Sequence, residues 1–240
     1  RMQEPEKILE FINNFFKNID KIKEKISGKK ILVTAGPTYE KIDPVRFIGN
    51  YSSGLMGFAI AETLARYDAN VILITGPVNL TCNNKNIKRI DVESAYEMYE
   101  NAIKIYPECD GAILAAAVSD YTPIEQKENK IKHSDNIIEL KLKPTPDIAR
   151  ALGEIKKEKQ FLVGFALETE NEIDNAREKL IKKNFDFIVI NSLKDEGAGF
   201  KYKTNKISIL DKNGNLKSYP LKSKLGVAED IIERISEIII

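Results

Sequence analysis

Short apolar runs alternate with longer amphipathic stretches along most of this chain. Short apolar runs bounded by glycine, proline or asparagine are typical of buried strands, and apolar positions three and four residues apart are typical of helices that bury one face. The pattern predicts strands at residues 30–35, 70–75, 87–91, 110–115, 161–166 and 185–190. It predicts helices at residues 57–67, 94–105, 171–183 and 226–239.

This alternation predicts an α/β fold with a mostly parallel sheet and helices on both of its faces. Two later runs, at residues 206–210 and 217–221, flank an Asn-Gly turn and predict an added hairpin or pair of edge strands. Residues 137–142 alternate apolar and charged side chains, which predicts a half-exposed strand. Ligands of such a sheet bind beyond the carboxyl ends of its strands, so we expect the functional residues there.

The chain opens with Arg1 and a predicted helix over residues 1–28. Its apolar positions fall near helical spacing, at Ile8, Phe11, Ile12, Phe15 and Ile19. This opening predicts a piece of a longer polypeptide, with a linker helix at residues 1–28 and one domain at residues 29–240.

Composition narrows the classes of function. The net charge is only +1, which argues against a nucleic-acid binder, because neutralising phosphates needs clustered excess cations. No apolar run approaches ~18 residues and no signal segment is visible, so we expect no membrane span and a cytoplasmic protein. The two cysteines, Cys82 and Cys109, form no Cys-x-x-Cys pair, and His133 is a lone histidine, so a His-rich or Cys-rich metal site is not predicted.

The loop after the first predicted strand is the first candidate for chemistry. It runs for about twenty residues before the next helix, and loops of that length are usually functional. It has no Gly-x-Gly-x-x-Gly turn, which a dinucleotide-binding fold would place here. Ser52, Ser53 and Gly54 precede the helix, where they either bind an anion with free backbone N–H groups or simply cap the helix. Asn50, just before them, is an uncharged donor suited to a carboxylate or an oxyanion.

Further candidates follow the later strands. Ala115 and Ala116 have small side chains that let a ligand approach the backbone, and Asp120 suits ribose hydroxyls, although tight packing and a turn cap explain these residues equally well. The polar stretch 126–133 is either a solvated loop or a lid that carries Lys130 onto phosphates. In the segment 143–149, Thr145 is predicted to cap a helix and Pro146 to occupy its first position.

The segment after the fifth predicted strand adds two cations. Phe165 lies near the carboxyl end of that strand. Lys179 and Lys183 stand four residues apart on the helix that follows, so they share one face and either clamp a polyphosphate or remain solvated.

In this order along the chain, these segments resemble the phosphopantothenoylcysteine synthetase family, whose members are phosphopantothenate–cysteine ligases. The resemblance covers residues 29 to 239 and rests on these motifs: Thr34-Ala35-Gly36-Pro37-Thr38, Asp43-Pro44-Val45-Arg46-Phe47, Asn50-Tyr51-Ser52-Ser53-Gly54, Met56-Gly57, Ala115-Ala116-Ala117-Val118-Ser119-Asp120-Tyr121, Lys130-Ile131-Lys132, Pro146-Asp147-Ile148 and Gly164-Phe165-Ala166-Leu167-Glu168-Thr169. The opening Arg1-Met2-Gln3-Glu4-Pro5 is similar to the linker after the flavin-dependent decarboxylase half of bifunctional prokaryotic forms.

The resemblance implies a modified Rossmann-like fold, a homodimer and a role in coenzyme A biosynthesis. Such an enzyme activates the carboxylate of 4'-phosphopantothenate with a nucleoside triphosphate, CTP in prokaryotic bifunctional forms, and releases pyrophosphate. The amine of L-cysteine then attacks the acyl-nucleotide. Mg²⁺ is expected with the nucleotide, and a flavin is expected only in the decarboxylase half.

The resemblance also assigns roles by motif position. It implies nucleoside contacts from Ala115, Ala116 and Asp120. It implies base contacts from Pro146, Asp147, Ile148, Ala149 and Phe165. It implies phosphate contacts from Lys130, Lys179 and Lys183, with Lys130 also catalytic. It implies that Asn50 acts on the acyl group, within a substrate site that includes Ser52, Ser53 and Gly54.

The chain departs from the family pattern at three positions. His133 replaces a lysine of a Lys-x-Lys-Lys pattern, and Tyr51 and Leu55 stand where histidine and lysine are frequent. The residues that contact the metal are not specified by the sequence.

Three alternatives remain open. A nicotinamide-dependent oxidoreductase would use the same kind of sheet, but the glycine motif and a Tyr-x-x-x-Lys pair placed for hydride transfer are missing. The other two are a nucleotide-sensing module without catalysis and a fragment that only binds the decarboxylase half.

Overall fold

The computed structural model describes residues 4–133, 137–168, 171–192 and 202–239. Within these residues the helices are α1 (Pro5–Ile26), α2 (Leu55–Arg66), α3 (Ala95–Ile105), α4 (Ile148–Ile155), α5 (Glu172–Lys182) and α6 (Lys224–Ile238). The strands are β1 (Lys30–Ala35), β2 (Tyr39–Asp43), β3 (Arg46–Gly49), β4 (Asn70–Thr75), β5 (Ile87–Asp91), β6 (Gly111–Leu114), β7 (Tyr121–Pro123), β8 (Leu142–Pro144), β9 (Phe161–Glu168), β10 (Phe187–Ser192), β11 (Thr204–Asn205), β12 (Ile207–Asp211), β13 (Leu216–Ser218) and β14 (Lys222–Ser223).

One large sheet organises the described part of the chain. Its eight strands lie in the order β13-β12-β10-β9-β6-β1-β4-β5. The strands from β10 to β5 pair in parallel, whereas β12 and β13 are antiparallel additions at one edge. The carboxyl ends of the parallel strands therefore meet along a single edge of the sheet.

The sheet separates two apolar layers because neighbouring residues of a strand point to opposite faces. On β1, Ile31 and Val33 pack with α1, α2 and α6, whereas Leu32 packs with α3, α4 and α5. Of α1, only the last turns are buried, at Ile22 and Ile26. Helices therefore cover both faces, and the predicted α/β class with a mostly parallel, Rossmann-like sheet and an added hairpin is confirmed.

Most predicted elements are present, and three parallel strands, β1, β4 and β5, have the predicted bounds. Helix α2 begins at Leu55, two residues before its predicted start, after Gly54 at a φ of 77°. None of the helices in the described ranges combines the length and the apolar composition that crossing a bilayer requires.

The predicted half-exposed strand at residues 137–142 is wrong. The structure has no strand over residues 137–141, and the nearby strand β8 begins at Leu142 and pairs over three residues with β7. Ile137 and Ile138 are both exposed. Alternating apolar residues favour a strand only where a sheet face is available to bury one side, and this segment has none.

The long loop predicted after β1 contains the antiparallel hairpin β2–β3, which the sequence pattern did not predict. The rings of Tyr39 and Phe47 stack across it with centroids 3.8 Å apart. Asp43 is buried near its turn and accepts hydrogen bonds from the backbone N–H groups of Val45 and Arg46, at 2.9 and 3.0 Å.

Candidate active site

A cavity of about 470 Å³ opens at the carboxyl edge of the sheet, beyond β1, β6 and β9. Many of the residues predicted for nucleotide binding line it together, namely Ala116, Asp120, Pro146, Asp147, Ile148, Ala149, Phe165, Lys179 and Lys183. We call this space the large cavity. It lies within the usual range for small-molecule sites.

One wall of the large cavity is backbone that continues β6. Ala117 donates its backbone N–H to the Gly36 carbonyl at 2.9 Å. Ser119 donates its N–H to the Thr38 hydroxyl at 2.9 Å and its own hydroxyl to the Thr38 carbonyl at 3.1 Å. The segments after β1 and β6 are thus tied side by side, and their small side chains leave the backbone accessible to a ligand.

A second wall is the segment that leads into α4. The Thr145 hydroxyl donates to the Ser119 carbonyl at 2.6 Å, and its N–H donates to the Asp120 carbonyl at 3.0 Å. Thr145 as the helix cap and Pro146 as the first helical residue are therefore wrong. Asp147 is the cap, since its carboxylate accepts from the Arg150 N–H at 3.0 Å.

The end of α5 brings cations to the same cavity. Lys179 and Lys183 both line it, as their spacing on one helix face predicted. The Lys183 ammonium lies 3.1 Å from the Asp147 carboxylate, so the cation predicted to contact phosphates and the segment predicted to contact the base touch each other. The predicted base and phosphate subsites are therefore adjacent.

A smaller cavity of about 140 Å³ adjoins the large one, and we call it the side cavity. Both are lined by Ala116, Ala117 and Phe165, so the two spaces meet at the carboxyl ends of β6 and β9. The other side-cavity residues are Ser52, Ser53, Gly54, Leu55, Met56, Gly57, Ala115, Ala166, Leu167, Asn191, Asn205 and Lys224.

The side cavity depends on a close contact between α2 and β1. A Cβ atom at Gly57 would lie 2.5 Å from the Ala35 Cβ, which is closer than real side chains approach. Glycine at this position lets the start of α2 rest on the end of β1 and places Ser52, Ser53 and Gly54 in the cavity wall.

Sequence reasoning missed Asn205 and Lys224 in this wall. Asn205 follows a stretch with no strand pattern, and Lys224 stands among charged residues that resemble a solvated helix start. The available signal for Lys224 was its position, because a lysine in the first turn of a helix opposes the helix dipole.

Asn50 and Lys130, the predicted catalytic residues, do not line either cavity among the described residues. The Asn50 amide donates to the Ala117 and Val118 carbonyls at 3.0 and 3.1 Å, so it is bonded to backbone whose residues line the large cavity. Its predicted role on the acyl group and that of Lys130 on phosphates stay predictions.

The hairpin β2–β3 holds the segment around Lys130. Ile131 donates its backbone N–H to the Asp43 carboxylate at 3.1 Å, and Arg46 donates to the Ile131 carbonyl at 2.8 Å. The Arg46 guanidinium also binds Asp43 and holds the pKa of that carboxyl well below its usual range. Lys130 therefore directly precedes a residue, Ile131, that hydrogen bonds hold to the hairpin.

The positions that depart from the family pattern differ in their surroundings. Tyr51 and His133 are exposed, whereas Leu55 lines the side cavity. Among the described residues, no three histidine, cysteine, aspartate or glutamate side chains are grouped so as to hold a metal ion.

Comparison with known proteins places this geometry in a family. The profile of the family described as "DNA/pantothenate metabolism flavoprotein C-terminal domain" matches residues 26–239. The chain belongs to this family.

Curated relatives and solved structures agree with this assignment. The chain is 43% identical over 236 residues to the coenzyme A biosynthesis bifunctional protein CoaBC of Bacillus subtilis (strain 168), covering 98% of the chain and 57% of that protein. It is 52% identical over 236 residues to a cysteine/cysteine sulfinic acid decarboxylase of an unknown prokaryotic organism, covering 98% of the chain and 66% of that protein. The chain thus spans less than two thirds of the length of these relatives.

Among solved structures, the C-terminal domain of a CoaBC protein matches with a TM-score of 0.76 and 40% identity, over 89% of this chain and 96% of that one. A Cab2 variant in complex with phosphopantothenate-cysteine matches with a TM-score of 0.70 at 18% identity, over 98% of this chain and 95% of that one. The second likeness shows a shared fold.

Proposed function

We propose that this chain is a phosphopantothenate–cysteine ligase of coenzyme A biosynthesis. The observation that carries the proposal is a pair of joined cavities in a chain of this family. The large cavity has two lysines and a wall of accessible backbone, and the side cavity is lined by the start of α2. The large cavity suits a nucleoside triphosphate, and the side cavity suits an acid that meets the nucleotide at Ala116, Ala117 and Phe165.

The chemistry explains this division of space. A carboxylate is a poor electrophile, so its oxygen has to become part of a phosphate leaving group before an amine can attack. The transition states place charge on phosphoryl oxygens, where preorganised cations stabilise it, and a covalent protein nucleophile is not required. Lys179 and Lys183 supply those cations at one end of the large cavity.

We propose that the nucleotide is CTP and that its base lies against the segment Pro146–Ala149. Helix α4 begins at Ile148, and the first backbone N–H groups of a helix have no acceptor within it, so Ile148 and Ala149 in the cavity wall can donate to a ligand. Such donors match the adjacent acceptors O2 and N3 of cytosine. Asp120, in the adjoining wall, would accept from ribose hydroxyls.

The large cavity fits Mg²⁺ that arrives with the nucleotide. Mg²⁺ is usually held by substrate phosphates, waters and one or two carboxylates, so a cluster of three protein ligands is not needed. Asp147 would be the carboxylate beside it, because it already contacts Lys183 at the phosphate end. The ion would neutralise charge on the phosphoryl oxygens.

We further propose that the protein acts in the cytoplasm as a homodimer, as part of a longer bifunctional protein whose decarboxylase half holds the flavin. The exposed apolar side chains of Val45, Phe47 and Tyr51, around the hairpin β2–β3, support a self-association surface. Light scattering of the purified chain would test the dimer.

Pyrophosphate release tests the ligase proposal most directly. With CTP and 4'-phosphopantothenate but no cysteine, we expect a burst of about one pyrophosphate per site, followed by steady turnover when L-cysteine is added. ATP in place of CTP should give a smaller response.

Other products would redirect the assignment. Orthophosphate release that depends on cysteine would indicate an acyl-phosphate mechanism instead. Nucleotide binding without any release would indicate a sensing module, and CO₂ release from cysteine alone would indicate a decarboxylase. Reduction of NAD⁺ would indicate an oxidoreductase.

A further inference from the structure

Two antiparallel strand pairs, β2–β3 and β7–β8, extend side by side from the edge of the large cavity. Strand β8 ends at Pro144, which lines that cavity. The first pair begins beside the second, because Thr38, just before β2, is bonded to Ser119, just before β7. Farther along, Lys127 donates its backbone N–H to the Ile42 carbonyl at 2.9 Å. The chain after β7 therefore runs along β2 and is attached near both ends of that strand.

The turn of the hairpin β2–β3 contains a buried carboxylate, Asp43, whose side chain is 0% exposed. Its Oδ1 accepts from the two backbone N–H groups of the turn described above. Its Oδ2 accepts from the Arg46 Nε at 2.9 Å and from the Ile131 backbone N–H at 3.1 Å. One oxygen therefore closes the turn, and the other bonds a segment that is 88 residues away in the sequence.

Ile131 is held through both of its backbone polar groups. Its N–H donates to Asp43 and its carbonyl accepts from the Arg46 guanidinium at 2.8 Å, and we call these three residues the clasp. Residues 124–133, all of which the structure describes, form neither helix nor strand. Ile131 is half-buried, whereas the other residues of this run are exposed. The clasp therefore fixes a segment that regular secondary structure does not.

Stability alone explains many buried aspartates at hairpin turns, and this chain contains such an example. Asp211 begins the turn between β12 and β13 and is 5% exposed. It accepts from the backbone N–H groups of Asn213 and Asn215, both at 2.9 Å, and from the Arg234 guanidinium at 2.8 Å. Asp43 accepts from the same kinds of donor, two turn N–H groups and an arginine, and additionally from the clasped segment. The stability of the turn does not require that additional bond.

The clasp limits where the Lys130 side chain can start. Neighbouring Cα atoms are ~3.8 Å apart, so the Lys130 Cα stays within about 4 Å of the Ile131 Cα. Without the clasp, the anchor that remains on this side is Lys127, three residues earlier, and a flexible chain of that length spans roughly 10 Å. The volume open to the lysine then grows on the order of tenfold, and its ammonium occupies a productive position correspondingly less often.

We propose that Asp43 is a positioning residue that places Lys130 for carboxylate activation by holding Ile131 in the clasp. This inference rests on the proposed function, in which Lys130 contacts the phosphates of the nucleotide. In the described part of the chain Asp43 lines neither cavity, so it affects the rate only through the lysine. Its removal should slow activation without weakening nucleotide binding, because Lys179 and Lys183 remain in the large cavity.

Single-turnover release of pyrophosphate from CTP and 4'-phosphopantothenate tests the proposal. Asp43→Asn retains one oxygen for the turn but replaces the other by an amide group that cannot accept from Ile131. Activation should slow roughly 10- to 100-fold, whereas the CTP dissociation constant, measured by calorimetry, should stay within about threefold. Asp211→Asn makes the same change at the comparable turn and is the matched control, with activation at the wild-type rate.

Three results of these measurements would overturn the proposal. The first is a wild-type rate in a folded Asp43→Asn protein. The second is equal slowing in Asp43→Asn and Asp211→Asn, which would reduce both residues to general support of the fold. The third is a CTP affinity that falls in proportion to the rate.

A double-mutant cycle shows whether Asp43 acts through Lys130. In a Lys130→Ala background, followed for hours at high enzyme concentration, Asp43→Asn should slow activation by less than about threefold. Losses that simply multiply would assign Asp43 to another part of the site and overturn the proposal. Ile131→Pro covers the case in which Asp43→Asn does not fold, because proline lacks the N–H that Asp43 accepts. A wild-type rate in the folded Ile131→Pro protein would also overturn it.

Hydrogen exchange separates this inference from the ligase proposal. Asp43→Asn should raise the exchange rate of the Ile131 N–H by at least about tenfold, and Asp211→Asn should not. If the wild type gives the pyrophosphate burst and the losses in the cycle multiply, only the role of Asp43 fails. If no burst occurs, the ligase proposal fails, and unchanged exchange in Asp43→Asn would overturn the clasp as well.

Discussion

Removing the Lys183 ammonium tests whether the end of α5 contacts the outer phosphates of a nucleotide. Lys183 lines the large cavity and pairs with Asp147 at 3.1 Å, with 27% and 45% of the two side chains exposed. Lys183→Ala should therefore weaken binding of CTP more than binding of CMP, because CMP lacks the β- and γ-phosphates that this cation would reach.

The structure sets the size of the effect. A hydrogen bond from an ammonium to a phosphate contributes ~1.5–3 kcal/mol. A half-exposed ion pair such as Lys183–Asp147 contributes only ~0–1 kcal/mol, and this contribution is lost when Lys183 binds the nucleotide instead. The net loss of ~0.5–3 kcal/mol corresponds to a roughly 2- to 140-fold weaker CTP affinity, since ~1.4 kcal/mol is a tenfold change.

Calorimetry measures the dissociation constants of CTP and CMP. Two further variants serve as controls for Lys183→Ala. Lys182→Ala removes an exposed neighbour that pairs with Glu178 at 3.1 Å and should leave both constants within about twofold. Asp147→Asn keeps an oxygen to cap α4 and releases Lys183, so CTP affinity measured without Mg²⁺ should stay equal or rise. Equal losses for CTP and CMP in Lys183→Ala, or no loss for either, would refute the reasoning.

Three other outcomes are expected. Asp43→Asn should destabilise the fold at pH 7. Because the pKa of Asp43 is lowered in the folded state, the difference in free energy of unfolding between wild type and variant, measured in urea, should shrink as the pH falls below about 4. A difference that does not depend on pH would contradict this. Gly76→Ala should lower the free energy of unfolding by ~1–3 kcal/mol or more, because the new Cβ would lie 1.6 Å from the Pro37 carbonyl oxygen. Gly226→Ala is the control, because the nearest atom to its Cβ is 3.5 Å away, and it should be neutral or stabilising. Thermal unfolding measures both variants. Asn50→Ala should slow amide formation more than carboxylate activation, so that rapid quenching detects an accumulated acyl-nucleotide; equal slowing of both steps would leave Asn50 a loop residue that supports the shared wall.

The parallel strands could be predicted from sequence because both of their faces are buried. Strand β4, for example, is an almost continuous apolar run that ends at a Gly-Pro pair, and its bounds follow from that pattern alone. The hairpin β2–β3 could not be predicted this way. It depends on the stacking of Tyr39 on Phe47 and on Asp43, whose bonds reach Ile131, and neither contact produces a periodic pattern.

The candidate site also has one part that could be predicted from the sequence and one that could not. Ala116, Asp120 and Phe165 of the large cavity lie at or after strand ends, where the rule for such sheets places ligands, whereas the roles of Lys179 and Lys183 came from the family resemblance. The convergence of Asn191, Asn205 and Lys224 on the side cavity was not predictable, because β10, β11 and α6 are separate elements that no sequence pattern links. The pairing of Lys183 with Asp147 likewise joins residues from two helices that share no sequence pattern.

The two edges of the large sheet bear on how copies of this protein associate. An exposed edge strand is a template for pairing with another chain, and charged side chains or very short strands suppress that pairing. Strand β5 has Lys88, Arg89 and Asp91 among its five residues, and β13 has only three residues, all exposed. Neither edge is suited to continue the sheet into a second copy. We therefore expect any dimer to form through loops and the β2–β3 hairpin, and we expect edge-to-edge aggregation to be slow even at high protein concentration.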